Sequence, residues 1–518
     1  MVADAVRRAP TNPAGIDLVV YGATAGGVVA AVAAARHGMR VVLADPTQHV
    51  GGMVSGGLGR TDVERQETLI GGLAREVFVR IGRRYGEAAS FRFEPKVAEG
   101  VMREWLDEAG VAVWSQWRLG RVQRRGDRIR ELVADDGACL SAPCFVDASY
   151  EGDLLAGAGV SHAVGRDDRS RFGESLAGRR EMLPNHHQFG VAVSAMAPDG
   201  GLLPYVQPYA AIGDLGHGDG KVQSYCYRIC LTEDPQQRLP LAQPPGYDPE
   251  RYLLARRYLA ALGDSADLRH FMGLGRLPNG KVDVNSGGPV STNLLGASWD
   301  YPEAGVERRA QIAAEHQAWA QGLLCFLAAE RAVPARLRRQ LGGFGLPADE
   351  FDRSGHWPPQ LYVRDARRML GEYVLTQRDL EAGSGQPVAD AVGMGGYNID
   401  IREVQWVAAP ISRFPDVFDE VLTEGYLSVP VPPYPLPYRV LLPRRDECSN
   451  LLVSTCVSAS HIAFASFRME PQLMIAGHAA GTAATLAVEA DSAVHDVDVG
   501  RLQSLLRAEG QILQPPGR

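Results

Sequence analysis

The sequence is poor in the features that mark secreted, metal-binding and nucleic-acid-binding proteins. It has seven cysteines, an odd number, and their spacing forms no zinc knuckle, so reduced thiols are expected and a metal site is not. The formal net charge is −8, which gives no reason to expect nucleic acid or an anionic membrane as a partner. The first residues contain no apolar core of secretory length, and we therefore expect a cytoplasmic location.

Long uninterrupted hydrophobic runs are also missing. The most apolar stretch, residues 19–39, is broken by four glycines and by Arg36. These interruptions argue against a transmembrane helix, which needs about 20 predominantly apolar residues. Repeats, heptads and low-complexity tracts are absent. A length of 518 residues with 45% hydrophobic and 22% charged side chains is typical of a soluble globular enzyme with two or three domains.

The most informative feature is a strand, a glycine-rich turn, a helix and a second strand near the start of the chain. Residues 17–27 read DLVVYGATAGG, and Asp45 closes the second strand, about 20 residues after Gly22 as a dinucleotide fingerprint requires. Such a unit directs backbone N–H groups at a pyrophosphate, while the acid binds a ribose. Thr24 stands where the second glycine of the fingerprint is expected. The unit indicates a dinucleotide, with a parallel-sheet unit that binds no nucleotide as the alternative.

Segments at the far end of the chain complete this unit. A buried strand at residues 450–454 and a Gly/Ala-rich helix at residues 471–488 follow a long middle region. This discontinuous arrangement favours FAD over NAD, because a late segment can cap the isoalloxazine end of an extended dinucleotide. The glycine-rich turns at residues 342–345 and 393–396 do not follow apolar strands or open helices, so no second fold for NAD(P)H is expected.

We therefore predict an α/β fold with a discontinuous, Rossmann-like FAD-binding domain and an inserted α+β substrate domain. The predicted boundaries are a flexible leader at 1–16, the first part of the FAD-binding domain at 17–169, the substrate domain at 170–430, and the second part at 431–518. Within the insertion, residues 311–331 and 364–377 are predicted to be helical.

The sequence resembles the FAD-dependent oxidoreductases of the glutathione-reductase-like superfamily. The likeness is strongest to the branch often labelled FAD-dependent oxidoreductase or xanthan lyase. It rests on segments spread almost from end to end: 21–27 (YGATAGG), 49–53 (HVGGM), 147–153 (DASYEGD), 280–285 (GKVDVN), 362–368 (YVRDARR), 396–400 (GYNID) and 460–471 (SHIAFASFRMEP). The resemblance implies FAD and redox chemistry without naming a reaction.

Three features of this chain bear on the likeness. Members of the branch commonly have Thr at the position of Thr24, so the imperfect fingerprint is expected there. Asp45 replaces a more usual Glu, which keeps the ribose contact possible. Ile401 and Arg402 stand where the branch often has Ser and His, so a catalytic role for that loop stays open.

Flavin catalysis asks the protein to hold the pyrophosphate, to place donors near the N1/O2 edge of the ring, and to form a substrate pocket over N5. The positive end of the helix after Arg468 is expected to stabilise the anionic reduced flavin. The open alternatives are that Arg468 only pairs with a nearby acid, and that Gly51 and Gly52 form a plain turn. Covalent attachment of FAD to His49 is a further possibility. The predicted cofactor-binding residues are Gly22, Thr24, Ala25, Gly26, Gly27, Asp45, Pro46, His49, Gly51, Gly52, Met53, Ala148, Asp153, Arg468, Met469 and Glu470.

The candidates for catalysis are His461, Arg364 and Tyr397. His461, in the turn after the last strand, has a pKa suited to a base near neutrality. Arg364 and Arg367 would share a face of the predicted helix and could hold a carboxylate. Tyr397 belongs to a polar cluster. For each the alternative is a structural role, such as a buried histidine or an arginine in an ion pair.

The leading functional hypothesis is a flavin dehydrogenase or oxidase that transfers a hydride from a small polar metabolite, such as an intermediate of secondary metabolism, to N5 of FAD. Oxygen or another acceptor would reoxidise the flavin. The runner-up is a monooxygenase that binds NAD(P)H transiently. A polysaccharide lyase has no need of a pyrophosphate-binding unit, and an FAD-binding structural or sensor protein would show no turnover.

Overall fold

The computed structural model describes residues 15–61, 66–183, 187–385, 388–411 and 414–515. Residues 1–14 of the leader predicted at 1–16 lie outside this part. Within the described part, no helix combines the length and the apolar character needed to cross a membrane.

The first 170 residues build most of a parallel sheet with helices on its faces. Their elements are β1 (Leu18–Tyr21), α1 (Ala25–Arg36), β2 (Val41–Asp45), α2 (Gly52–Ser55), α3 (Gly72–Arg84), α4 (Pro95–Ala109), β3 (Ala112–Ser115), β4 (Leu119–Arg125), β5 (Arg128–Ala134), β6 (Cys139–Leu140), β7 (Cys144–Asp147), α5 (Asp153–Gly157), β8 (His162–Ala163) and α6 (Arg169–Phe172).

The middle of the chain is a mixture of helices and small, mostly antiparallel sheets. Its elements are β9 (Val206–Pro208), β10 (Ile229–Thr232), β11 (Arg238–Leu239), α7 (Leu253–Leu262), β12 (Met272–Arg276), β13 (Lys281–Ser286), α8 (Val306–Ala329), α9 (Ala335–Gly342), β14 (Leu346–Pro347), β15 (Arg368–Met369), α10 (Gln377–Ala382), β16 (Ala391–Gly395), β17 (Ile399–Ile401), β18 (Gln405–Ile411), β19 (Phe414–Glu424) and β20 (Leu427–Val429). Strands β9 and β18 are paired in parallel.

The last part of the chain returns to the first sheet. It forms β21 (Tyr434–Pro437), β22 (Leu451–Val453), α11 (His461–Phe467), α12 (Glu470–Glu489) and α13 (Val499–Ala508). The five-stranded sheet has the order β22-β7-β1-β2-β3, and β22 pairs with β7 in parallel. The strand predicted at residues 450–454 is therefore present as β22 and joins the first sheet. The sheet is built from residues of both ends of the chain.

The helix predicted at residues 364–377 is wrong. The segment contains no helix before α10 begins at Gln377: β15 pairs with β8, and just ahead of the segment the N–H of Tyr362 donates to the carbonyl of Cys226 at 2.8 Å. Extended backbone sends successive side chains to opposite sides, so Arg364 and Arg367 do not share a helical face. Both side chains, and that of Arg368, are buried and pair with different parts of the protein. These tertiary partners override the helical propensity of the sequence.

Helices α1 and α12 cross at backbone distance. A Cβ added to Gly477 would lie 2.1 Å from the carbonyl oxygen of Gly26, and one added to Gly481 would lie 2.2 Å from that of Ala30. Both helices are buried along nearly their whole length, as expected of helices that are apolar on all sides. The close approach holds the last long helix of the chain against the first.

We predict opposite effects for two glycine-to-alanine substitutions in helices. Gly477→Ala forces Cβ against the Gly26 carbonyl, and overpacking of this kind costs about 1–3 kcal/mol. In α4, a Cβ on Gly100 meets no atom within 4 Å, so Gly100→Ala should stabilise by about 0.5–1 kcal/mol. The midpoint of urea unfolding should fall for the first variant and rise for the second. Equal shifts would contradict the proposed helix contact.

Candidate cofactor and active site

A cavity of about 330 Å³ lies at the carboxyl ends of β1 and β2, where open α/β sheets bind their ligands. The glycine-rich turn after β1, the loop after β2 and the loop after β7 form one side, and α8 with residues 359–361 forms the other. The lining residues include Gly22, Thr24, Asp45, Pro46, His49, Gly52, Ser149, Tyr150, Glu151, Asp153, Tyr227, Tyr301, Arg309 and Gln360.

The glycine-rich turn is as tight as the fingerprint requires. Gly22 has a φ of +105°, and a Cβ on it would lie 2.7 Å from the backbone nitrogen of Ser149. A Cβ on Gly27 would lie 1.9 Å from the carbonyl oxygen of Gly22. Gly26 faces the backbone of Leu473 on α12, at 2.8 Å from such a Cβ. A side chain at any of these positions would open the turn or push α12 away.

Thr24, in place of the second glycine, makes two side-chain hydrogen bonds that a glycine could not make. It is the N-cap of α1, and its Oγ1 accepts a hydrogen bond from the N–H of Gly27 at 3.0 Å. The same hydroxyl donates to the carbonyl of Ala148 at 2.8 Å. Thr24 thus ties the start of α1, with Ala25 in its first turn, to the end of β7. This capping role follows known N-cap preferences but was not predicted from the sequence.

Asp45 ends β2 with its carboxylate turned back toward the glycine-rich turn. One oxygen accepts from the N–H of Ala23 at 2.7 Å, and the other accepts from the N–H and the hydroxyl of Thr47, both at 2.7 Å. Burial raises the pKa of this carboxyl above its ordinary value. An ionised carboxylate has about four acceptor sites, so a ribose hydroxyl can bind beside these partners. Pro46 lines the cavity next to it.

The loop from His49 to Met53 passes close to Tyr150. Gly51 and Gly52 have φ values of +105° and +53°, and a Cβ on Gly52 would lie 2.4 Å from the Tyr150 hydroxyl. The N–H of Met53 donates to that hydroxyl at 2.9 Å. The loop is also tied to the glycine-rich turn, since the N–H of Gly51 donates to the carbonyl of Ala23 at 2.7 Å. Only glycines allow this approach.

His49 is held inside this loop. Its Nε2 lies 3.1 Å from the carbonyl oxygen of Gly52 and 3.0 Å from Oγ of Ser55. Burial lowers the pKa of the imidazole. The ring lines the cavity, but its Nε2 is already engaged by two neighbours.

Asp153 lies at the cavity edge between two arginines. Its carboxylate receives two hydrogen bonds from Arg309 on α8, at 2.8 and 3.0 Å, and one from Arg367 at 2.8 Å. Burial by itself would raise the pKa of Asp153, but the two guanidinium groups lower it. Ala148, another predicted cofactor residue, contributes its carbonyl as the acceptor of the hydrogen bond from Thr24.

The start of α12 carries the second group of predicted cofactor residues. Arg468 is buried, and it donates to the hydroxyl of Tyr362 at 3.2 Å and to the carboxylate of Asp400 at 2.9 Å. The sequence left open whether Arg468 pairs with a nearby acid, and the structure contains such a pair with Asp400. Met469 is the N-cap of α12. The carboxyl of Glu470 accepts from the hydroxyl of Tyr150 at 2.6 Å.

The same helix start holds several buried polar atoms without hydrogen-bond partners in the described structure. They are Nε of Arg468, Oε2 of Glu470, and both amide atoms of Gln472. Unpaired buried polar atoms are costly and rare. A polar group with both donors and acceptors, such as the pyrimidine edge of a flavin, fits this set. Gln472 was missed from the sequence, although a polar side chain in a Gly/Ala-rich helix was a signal.

His461 is not in a turn but is the first residue of α11. It is fully buried, and its Nε2 lies 3.3 Å from a carboxylate oxygen of Asp365. Burial lowers the pKa of the imidazole below 6.5 despite this carboxylate, so the ring is neutral at pH 7. Its backbone N–H donates to Asp167 at 2.7 Å.

Arg364 shares the contact partner Tyr362 with Arg468, and Tyr397 lies near Arg468. The guanidinium of Arg364 donates to the Asn293 side chain at 3.1 Å and lies 4.6 Å from the ring centre of Tyr362. The carbonyl of Tyr397 accepts from Ser466 on α11. Burial would lower the pKa of Arg468, but Tyr362, Asp400, Tyr397 and Asp365 raise it. Tyr362, which both Arg364 and Arg468 contact, and Asp365, which faces His461, connect the catalytic candidates with the surroundings of Arg468.

We predict that the Thr24 hydroxyl is needed for tight FAD binding. Thr24→Val loses the N-cap and one of the two hydroxyl donors to the carbonyl of Ala148, the other being Thr455 at 3.0 Å, and losing an N-cap costs about 1 kcal/mol. The Kd for FAD, measured by flavin fluorescence, should rise roughly fivefold, since about 1.4 kcal/mol corresponds to a factor of ten and about 1 kcal/mol to a factor of about five. Thr24→Ser keeps the hydroxyl and should bind like the unchanged protein. Equal Kd values for both variants would rule out the capping role.

We predict that FAD is held without a covalent bond to His49, because Gly52 and Ser55 already engage Nε2. After precipitation with acid, the yellow colour should stay in the supernatant, and His49→Ala should release no additional flavin. Colour that remains in the pellet of the unchanged protein and is lost in His49→Ala would show attachment through this histidine.

Two solved structures that are similar to the chain each align with only part of it. THI4 from Thermovibrio ammonificans is 20% identical over 30% of this chain and 66% of its own, with a TM-score of 0.23. BexE, described in connection with oxidation during BE-7585A biosynthesis, is 21% identical over 36% of this chain and 42% of its own, with a TM-score of 0.24. This chain thus spans less than two thirds of these proteins. No curated protein matches the sequence.

A sequence model of the family described as FAD dependent oxidoreductase matches residues 17–506. The match covers both ends of the parallel sheet, the glycine-rich turn and the start of α12. It agrees with the tight turn at Gly22 and with the unpaired polar atoms at the start of α12. The chain belongs to the family of FAD-dependent oxidoreductases, and FAD is its cofactor.

Proposed function

We propose that the protein is a flavin dehydrogenase or oxidase that acts on a small polar metabolite, with residues 170–430 as the substrate domain. One observation carries this proposal: in the described part of the chain, only the unit at β1 and α1 combines a strand, a glycine-rich turn and a long helix, of 12 residues. The turn at 342–345 follows the end of α9, and residues 393–395 lie inside β16. A resident NAD(P)H has no comparable site, so the substrate itself supplies the electrons.

Bound FAD supplies the acceptor for the hydride and passes the electrons on to oxygen or another acceptor. The protein has to bind the substrate and take up its proton. Arg468 with Tyr362, Tyr397 and Asp400 offers a polar surface beside the start of α12. Burial strengthens the hydrogen bonds of such groups. This surface supports a substrate with hydroxyl, amine or carboxylate groups.

His461 is the proposed base, and Asp365 is the residue that positions it. Nδ1 of His461 has no hydrogen-bond partner among the described residues, while Nε2 faces Asp365 at 3.3 Å. A proton taken up at Nδ1 gives an imidazolium, which the nearby carboxylate stabilises. The hydroxyl of Tyr225 donates to the carbonyl of Asp365 and keeps this residue in place.

Anaerobic mixing of the holoenzyme with polar metabolites tests the proposal. Bleaching of the flavin by a metabolite alone supports a dehydrogenase or oxidase, and reoxidation by air then separates the oxidase from the dehydrogenase. Bleaching only after NAD(P)H is added would overturn the proposal in favour of a monooxygenase. A flavin that no donor reduces would overturn it in favour of a structural or sensor role.

We predict that loss of the proposed base slows flavin reduction without loss of FAD. His461→Gln should lower the rate of anaerobic flavin reduction by about 10²–10⁴-fold, the usual contribution of a general base. Asp365→Asn should lower it in the same direction and shift its pH profile. His495→Gln changes another histidine, whose side chain is 6% exposed and lies 2.9 Å from the carbonyl oxygen of Pro443, and should react normally. Stopped-flow absorbance gives the rates, and equal rates in all variants would exclude His461 as the base.

A further inference from the structure

Glu470 is a buried carboxyl group with few partners. It is the first residue of α12 and only 4% exposed. One oxygen accepts from the hydroxyl of Tyr150 at 2.6 Å, and the other has no partner among the described residues. Arg468, two positions earlier, directs its guanidinium to Tyr362 and Asp400 instead.

The carboxyl lies one hydrogen bond behind the wall of the cofactor cavity. The Tyr150 hydroxyl that contacts Glu470 also accepts from the N–H of Met53 and lies against Gly52. Tyr150 and Gly52 both line the cavity. A change of charge in the bound cofactor therefore acts on Glu470 through Tyr150 and through a short distance of protein with a low dielectric constant.

The surroundings of Glu470 favour the neutral carboxylic acid over the ion. Burial raises its pKa to about 7, against a smaller lowering by the Tyr150 hydrogen bond. The positive end of α12 favours the ionised form, but a helix dipole has a smaller effect than burial of a poorly solvated carboxylate. The titratable or charged groups on the neighbouring elements are Tyr150 after β7, Tyr362 beside it, and Arg468 before α12. The part of α1 that packs on the start of α12 is Gly26, which adds no charge.

We propose that Glu470 stores a proton for the flavin: it takes up one proton when FAD is reduced and releases it when FAD is reoxidised. On reduction, two electrons and one proton enter the cofactor, which then carries one more negative charge. The second proton comes from solvent and converts the Glu470 carboxylate to the acid. Reoxidation by the acceptor reverses both changes. This inference needs bound FAD but not the hydride donor of the proposed function.

The physical reason is repulsion between like charges. A negative charge added to the cofactor disfavours the ionised carboxylate and so raises its pKa further. Above pH 7 the carboxyl is then ionised beside oxidised FAD and protonated beside reduced FAD. The buried Tyr150 hydroxyl, whose pKa burial raises well above its ordinary value, stays a donor throughout. The helix start that was expected only to stabilise negative charge thus also exchanges a proton.

The test is the midpoint potential of the holoenzyme as a function of pH, measured by reductive titration with dithionite and indicator dyes. Each proton taken up with two electrons changes the potential by about 30 mV per pH unit, because a tenfold change in a two-electron equilibrium is 29.6 mV. Uptake of a second proton should steepen the slope to about 60 mV per pH unit above pH 7. Glu470→Gln should keep the shallower slope at every pH. Glu489→Gln, at the exposed end of the same helix, should behave like the unchanged enzyme.

Infrared difference spectra of oxidised and reduced holoenzyme give a second measurement. The unchanged enzyme and Glu489→Gln should gain a protonated carboxyl band on reduction above pH 7, and Glu470→Gln should lack it. If Glu470→Gln fails to fold or to bind FAD, the slope and the carboxyl band of the unchanged enzyme still test the proposal. A slope that does not steepen above pH 7, or a carboxyl band that persists in Glu470→Gln, would overturn the proposal. Because dithionite supplies the electrons, this result is independent of the substrate.

Discussion

The backbone contact between α1 and α12 is the constraint on which the rest of the structure depends. Gly26 serves two purposes, since it lies in the first turn of α1, beside the cofactor turn, and also contacts α12. Gly477 and Gly481 allow the matching approach from the other helix. Because α12 is anchored in this way, Glu470 at its start lies one hydrogen bond behind the wall of the cofactor cavity. A larger side chain at this contact would separate the two ends of the FAD site.

This anchoring explains the electrostatics at the start of α12. Arg468 and Glu470 are both buried there, yet they do not pair with each other: the arginine contacts Asp400 and Tyr362, and the carboxyl contacts Tyr150. A buried charge needs a partner, and a carboxyl with none tends to become neutral. One helix start therefore holds a permanent positive charge and a group that titrates near neutrality. These are useful properties next to a cofactor whose charge changes during turnover.

The site was predictable to different degrees for different residues. Gly22, Gly27 and Asp45 lie where the fingerprint places them, because a tight turn and a following strand are local properties of the backbone. Thr24 lies in the glycine-rich turn, but its capping bonds emerged only with the contact to the end of β7. Arg364 was assigned to a helix that does not exist, since its partners come from distant segments. His461 was expected in an open turn and is instead buried beside Asp365.

The sequence by itself determined that this chain contains a nucleotide-binding unit near its start and a strand and helix near its end that complete it. Turns that need glycine at positive φ and the apolar periodicity of helices and strands depend on residues that are close in sequence. They can therefore be recognised without a structure. Only the tertiary structure decided which ionisable groups are buried and what each one contacts. Tyr150 and Glu470 are 320 positions apart, and no local pattern brings them together. Burial and partners set the pKa of a side chain, and both are properties of the folded protein as a whole.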